Sequence, residues 1–125
     1  MLRDFWKMYG EHNQRVCGYN IVGFDLPFML RRTMALDVKL PVAGWSPIIK
    51  KYSTHPTIDL MGIMYNWEKA KSLKWVARRY GLTNPLPELN GSMVATMDQE
   101  TLVAYAKSDV ELVYQLYHKM LGIYF

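Results

Sequence analysis

Only two stretches of this chain have the character of β-strands, and both are short. Val16 to Ile21 mixes Val, Cys, Tyr and Ile ahead of Gly23. Thr57 to Met61 reads either as a second strand or as the lead into a helix, with Asp59 as its cap. Two strands are too few for a sheet with two covered faces. The remaining periodic sequence is helical, so strand–helix alternation specifies an α/β chain with a small sheet.

The helices follow from spacing and caps. Leu2, Phe5, Trp6 and Tyr9 fall on one stripe, and Gly10 with the polar run Glu11-His12-Asn13-Gln14 ends that helix. A second helix is expected from about Asp25 to Ala35. Asp25 is read there as its N-cap, Pro27 lies in the first turn, and Phe28, Met29, Leu30 and Met34 form the apolar face. Leu40 to Pro56 holds three prolines and a glycine and reads as an irregular connection. Ser72 caps a helix that buries Leu73, Val76 and Ala77 and stops at Gly81. Asn84 to Asn90 is a loop. Asp98 caps a last helix running to about Leu121, patterned by Leu102, Tyr105, Ala106, Val110, Val113, Leu116, Tyr117 and Met120. No linker or repeat interrupts residues 1–125, which read as a single domain large enough for a core.

Charge and cysteine content narrow the setting. Fifteen Lys and Arg against 11 Asp and Glu give a net +4, which suits a nucleic-acid partner without requiring one. Cys17 is the only cysteine, so neither an intrachain disulfide nor a Cys-based zinc site can form. A reducing, cytoplasmic compartment fits this usage, and Cys17 is expected as a small buried core residue. No apolar run of about 18 residues marks a membrane span. His12, His55 and His118 have no metal-ligand spacing.

Two runs carry the chemistry: Asn20-Ile21-Val22-Gly23-Phe24-Asp25 and Tyr105-Ala106-Lys107-Ser108-Asp109. Each ends in an aspartate with an aromatic residue before it. Four residues apart on a helix, Tyr105 and Asp109 share a face one turn apart. Asp25 and Asp109 are candidate oxygen ligands for Mg²⁺ or Mn²⁺, and the phenol of Tyr105 is placed to orient water. The structural alternatives are plain. Asn20 makes a turn, Asp25 caps a helix, Tyr105 is a half-buried core residue, and Asp109 pairs with Lys107 or another base.

In order, the two runs resemble the second and third motifs of the acidic-tetrad (DEDD, DnaQ-like) 3′–5′ exonucleases. The spacing of Tyr105 and Asp109 resembles the Tyr-type branch, which includes the proofreading domains of B-family DNA polymerases. Phe24 to Arg32, Ser72 to Leu82 and Leu2 to Trp6 are similar to family helices. Gly91-Ser92-Met93-Val94 is similar to a run found before the third motif in predicted PolB-like exonucleases. The resemblance covers nearly the whole chain, as the C-terminal two-thirds of an exonuclease domain.

It implies a partial ribonuclease-H-like fold without its leading strands. Its implied activity is two-metal hydrolysis of DNA phosphodiesters at single-stranded 3′ ends. By the same resemblance Asp25 and Asp109 bind Mg²⁺ or Mn²⁺ and approach shared ions, Tyr105 orients water, and Asn20 and Phe24 face the terminal nucleotide. The family's first motif, Asp-x-Glu on a leading strand, does not precede the second motif here. Only Asp4 and Glu11 lie upstream. The domain is therefore expected to be incomplete as it stands, with a second copy or a partner chain covering the place of the leading strands. The alternatives are a non-catalytic nucleic-acid-binding or assembly module that keeps the fold, and a helical protein-interaction domain.

Overall fold

The structure, a computed structural model, describes residues 1–40 and 48–125. It is mixed α/β, with a two-stranded parallel sheet among the described residues. The chain runs through α1 (Leu2–Glu11), β1 (Val16–Gly18), a π-helical turn (Ile21–Asp25), α2 (Leu26–Ala35), β2 (Thr57–Asp59) and α3 (Leu60–Met64). α4 (Leu73–Arg79), a 3₁₀ turn (Gly91–Thr96) and α5 (Gln99–Met120) follow. Two compact units result, Met1–Ala70 and Lys71–Phe125. Among the described residues, no helix is long and apolar enough to cross a membrane.

In the first unit, Trp6, Tyr9, Leu26 and Ile48 are buried together. Trp6 is the anchor. Its ring meets Phe5 edge-on at 4.9 Å and Tyr9 edge-on at 5.4 Å. Its indole N–H donates to the Thr33 hydroxyl at 2.8 Å, and that hydroxyl donates to the Met29 carbonyl at 2.7 Å. A buried indole N–H needs such a partner. This locks α1 onto α2 with Thr33, rather than Met34, facing inward. The expected apolar face of α2 is corrected accordingly: Phe28 and Met34 are exposed, while Leu26 is buried and Met29 and Leu30 pack against the core.

β1 and β2 pair in register from Val16 with Thr57 to Gly18 with Asp59, and α2 lies in the connection that parallel strands require. β1 is shorter than expected because Asn20 turns into the left-handed region, φ 62, and takes the chain out of the sheet. Cys17 is exposed on this strand, not buried as expected. A three-residue strand in a two-stranded sheet has too little covering structure to enclose it. Residues 48–56 form turns and irregular backbone, as anticipated. The rest of the expected irregular connection, 41–47, lies outside the described residues.

In the second unit, α4 packs on α5. Ser72 accepts the Trp75 N–H and caps α4, and Gly81 ends the segment with φ 69. Asp98 caps α5 through the Thr101 N–H at 2.7 Å. The buried stripe of α5 is Ser108, Leu112, Leu116 and Met120, together with Val76 and Ala77 of α4. Ala106 and Val110, read from sequence as part of that stripe, are exposed. Among long aliphatic side chains, adjacent helical stripes are hard to tell apart by period alone.

Replacing Thr33 with Val keeps the shape of the side chain but leaves the Trp6 N–H without its acceptor. Urea denaturation is expected to show a loss of about 1–3 kcal/mol. An unchanged midpoint would mean that the indole finds another partner.

Candidate active site

The first unit presents the second motif as a turn organised by one buried carboxylate. Asp59, 1% exposed, ends β2. Its Oδ1 accepts the Asn20 N–H at 2.8 Å, and its Oδ2 accepts the Val22 N–H at 2.9 Å. Oδ1 also accepts the N–H groups of Met61, at 3.1 Å, and Gly62, at 3.4 Å, which caps α3. The same side chain therefore starts a helix and holds the entry to the second motif. In sequence it reads only as a cap. Nothing local marks its bonds to residues 37 and 39 positions earlier.

Within the turn, Asn20 accepts the Phe24 N–H through its carbonyl at 3.0 Å. The Asn20 side chain lies where a Cβ on residue 23 would stand, so Gly23 lets the amide fold over the turn. Phe24 projects into solvent, 64% exposed. Asp25 does not act as the N-cap of α2. Its backbone is already helical, φ −63 and ψ −50, and its side chain makes no cap hydrogen bond. The π-helical turn explains this, because it feeds helical backbone directly into α2 and leaves no extended cap residue. Asp25 is exposed, and among the described residues no cation pairs with it. Partial desolvation, reinforced by the nearby Asp59 charge, holds its pKa above the usual carboxylate value despite a hydrogen bond to its own backbone.

The second unit presents Tyr105 and Asp109 on α5. Both meet a residue that sequence reading missed, Lys74 of α4. Lys74 Nζ donates to Asp109 Oδ1 at 2.8 Å and lies 5.0 Å from the centre of the Tyr105 ring. The Lys74 side chain is 19% exposed and that of Asp109 38%. Asp109 does pair with a base, but with this one and not with Lys107. The pair spans 35 residues, so no local spacing announces it. Ser108 is buried and donates to the Tyr105 carbonyl at 2.7 Å. The Tyr105 hydroxyl points to the 3₁₀ turn, 4.0 Å from where a Cβ on Gly91 would stand.

Asn20, Phe24 and Asp25 thus share one turn, and Tyr105 and Asp109 share one helix face. Oxygen donors of this kind suit Mg²⁺ or Mn²⁺, which keep several waters and need few protein ligands. Among the described residues, no group of three or more His, Cys, Asp or Glu gathers as a metal cluster. Asp-x-Glu does occur downstream of the second motif, at 98–100 and 109–111. The first of these begins at the cap of α5 and the second lies within the helix, so neither is on a strand.

The chain belongs to the family described as a predicted 3'-5' exonuclease related to the exonuclease domain of PolB, whose family model matches residues 1–123. No curated protein and no solved structure matches it.

The raised pKa of Asp25 has a signed consequence for stability. The folded chain holds this proton more tightly than the unfolded chain. The stabilisation is complete below the unfolded pKa and is lost as pH rises through the folded one. Ionised Asp25 therefore opposes folding at neutral pH. Asp25→Asn is expected to raise the melting temperature slightly at about pH 7, with the difference vanishing near pH 3 where both forms are neutral. A lower melting temperature at neutral pH would show that the carboxylate is stabilising.

Proposed function

We propose that this chain is a DNA-hydrolysing 3′–5′ exonuclease domain of partial ribonuclease-H-like fold, working by a two-metal mechanism. The observation that carries this reading is the family match over both motifs. Divalent ions, when bound, supply charge stabilisation to the attacking and leaving oxygens of the phosphodiester. Asp25 and Asp109 are the residues that would hold Mg²⁺ or Mn²⁺ through carboxylate oxygens. Tyr105 orients the attacking water, Asn20 and Phe24 hold the terminal nucleotide, and hydrolysis releases a nucleoside monophosphate and a new 3′-hydroxyl. Lys74 shares Asp109 Oδ1 and keeps the carboxylate in place on α5.

Two carboxylates make a thin ligand set for a clamp on both oxygens. We propose that further acids come on a strand laid along β1, whose only partner among the described residues is β2. A second copy or a partner chain is a source for such a strand, since open edges accept one. A second reading is favoured by the Lys74–Asp109 pair. A carboxylate already neutralised by lysine suits a domain that binds nucleic acid or assembles without cleaving it.

Release of 3′-terminal nucleotides from single-stranded DNA with Mn²⁺ separates the two. The chain alone is expected to show little activity, and a form extended upstream by an Asp-x-Glu strand to show clear activity. In that form Asp109→Ala should abolish cleavage, while Tyr105→Phe should slow it by up to about a hundredfold through misplaced water. Cleavage that survives Asp109→Ala removes the mechanism.

A further inference from the structure

Beside the second-motif turn lies a cavity of about 370 Å³, lined by Asn20 and Gly23 together with Lys51, Asp59, Trp67 and Glu68. This volume is within the range of about 300–1,000 Å³ typical of small-molecule sites. Its aromatic wall is fixed. The Trp67 indole occupies the space where a Cβ on Gly62 would stand, and its backbone N–H donates to the Gly62 carbonyl at 2.8 Å. Tyr52 meets the indole edge-on at 5.9 Å while remaining 72% exposed. Lys51 Nζ lies 5.0 Å from the centre of the Tyr52 ring.

A tyrosine this exposed contributes little to the core, and the fixed indole beside it gives it a defined place. A cation next to paired rings is the composition that binds unpaired bases on their faces and phosphates at their edge. Asp59 also lines the cavity, and its oxygens accept backbone amides of Asn20 and Val22.

We propose that Tyr52, Trp67 and Lys51 form a stacking subsite for an unpaired base of single-stranded DNA, separate from the terminal nucleotide expected at Asn20 and Phe24. This rests on the nucleic-acid reading of the second motif and adds residues that the motif does not contain. The subsite gives the chain affinity for a strand, independent of cleavage.

The test is fluorescence anisotropy of a labelled oligodeoxythymidylate with the full chain in EDTA, where no turnover occurs. Tyr52→Ala is expected to weaken binding roughly tenfold, in line with the loss of one stacked base. Lys51→Ala should lower the slope of log Kd against log salt by about one, a change that loss of a purely structural lysine would not produce. Lys7→Ala, an exposed charge on α1, serves as the control and should change neither. Circular dichroism checks that each variant is folded. Wild-type affinity in Tyr52→Ala, or equal effects of Lys51→Ala and Lys7→Ala, overturns the subsite. If the form extended by an Asp-x-Glu strand still releases nucleotides in an Asp109-dependent way alongside that result, the exonuclease reading stands without the subsite. A wild-type chain that binds no oligonucleotide also overturns the subsite, and the cleavage assay then judges the exonuclease reading separately.

Discussion

The carboxylate of Asp59 is the interaction on which the first unit depends. An unpaired charge buried to this degree would cost several kcal/mol. Four backbone N–H groups offset that cost, those of Asn20, Val22, Met61 and Gly62. Charge-assisted bonds of this kind are roughly twice as strong as neutral ones. They join three events at one end of the sheet. β2 stops, α3 starts, and the chain leaving β1 turns into the second motif. The register pairing Gly18 with Asp59 makes this possible, since it brings the carboxylate to the point where β1 gives way to Asn20. Asn20 can hold its left-handed backbone there because its amide has a fixed acceptor.

The second-motif turn and the α5 face each have their own electrostatic character. Asp25 stands exposed, with no paired cation among the described residues, and its raised pKa reflects partial desolvation and a neighbouring charge. Asp109 is half-covered and tied to Lys74 beside Tyr105. An exposed Phe24 ring and a cavity lined by Asn20 and Trp67 lie at the second-motif turn.

What could be read from sequence was whatever is local in the chain. The stripe Leu2, Phe5, Trp6 and Tyr9 gave α1 its bounds, and Ser72, Gly81 and Asp98 marked helix ends through bonds reaching only a few residues. Asp59 as a cap was legible for the same reason. Its grip on Asn20 and Val22 was not, because those bonds depend on strand pairing. The Lys74–Asp109 pair was hidden likewise, as was the inward turn of Thr33, whose polarity disguises a core position paired with Trp6. Cys17 misled because a small apolar residue on a strand is usually covered, and this sheet is too narrow to cover it. The motif residues themselves were legible as a pattern in order, while the π-helical turn that removes Asp25 from its capping role has no local signature.

Amide hydrogen exchange in Asp59→Asn is the most direct test of the claim that this carboxylate organises the second motif. The substitution keeps the shape but presents N–H₂ donors to backbone donors and removes the charge. The account predicts that the Asn20 and Val22 amides lose their protection while the Trp6 indole N–H, bonded to Thr33, keeps its own. Unchanged protection at Asn20 and Val22 in a folded Asp59→Asn chain would contradict it.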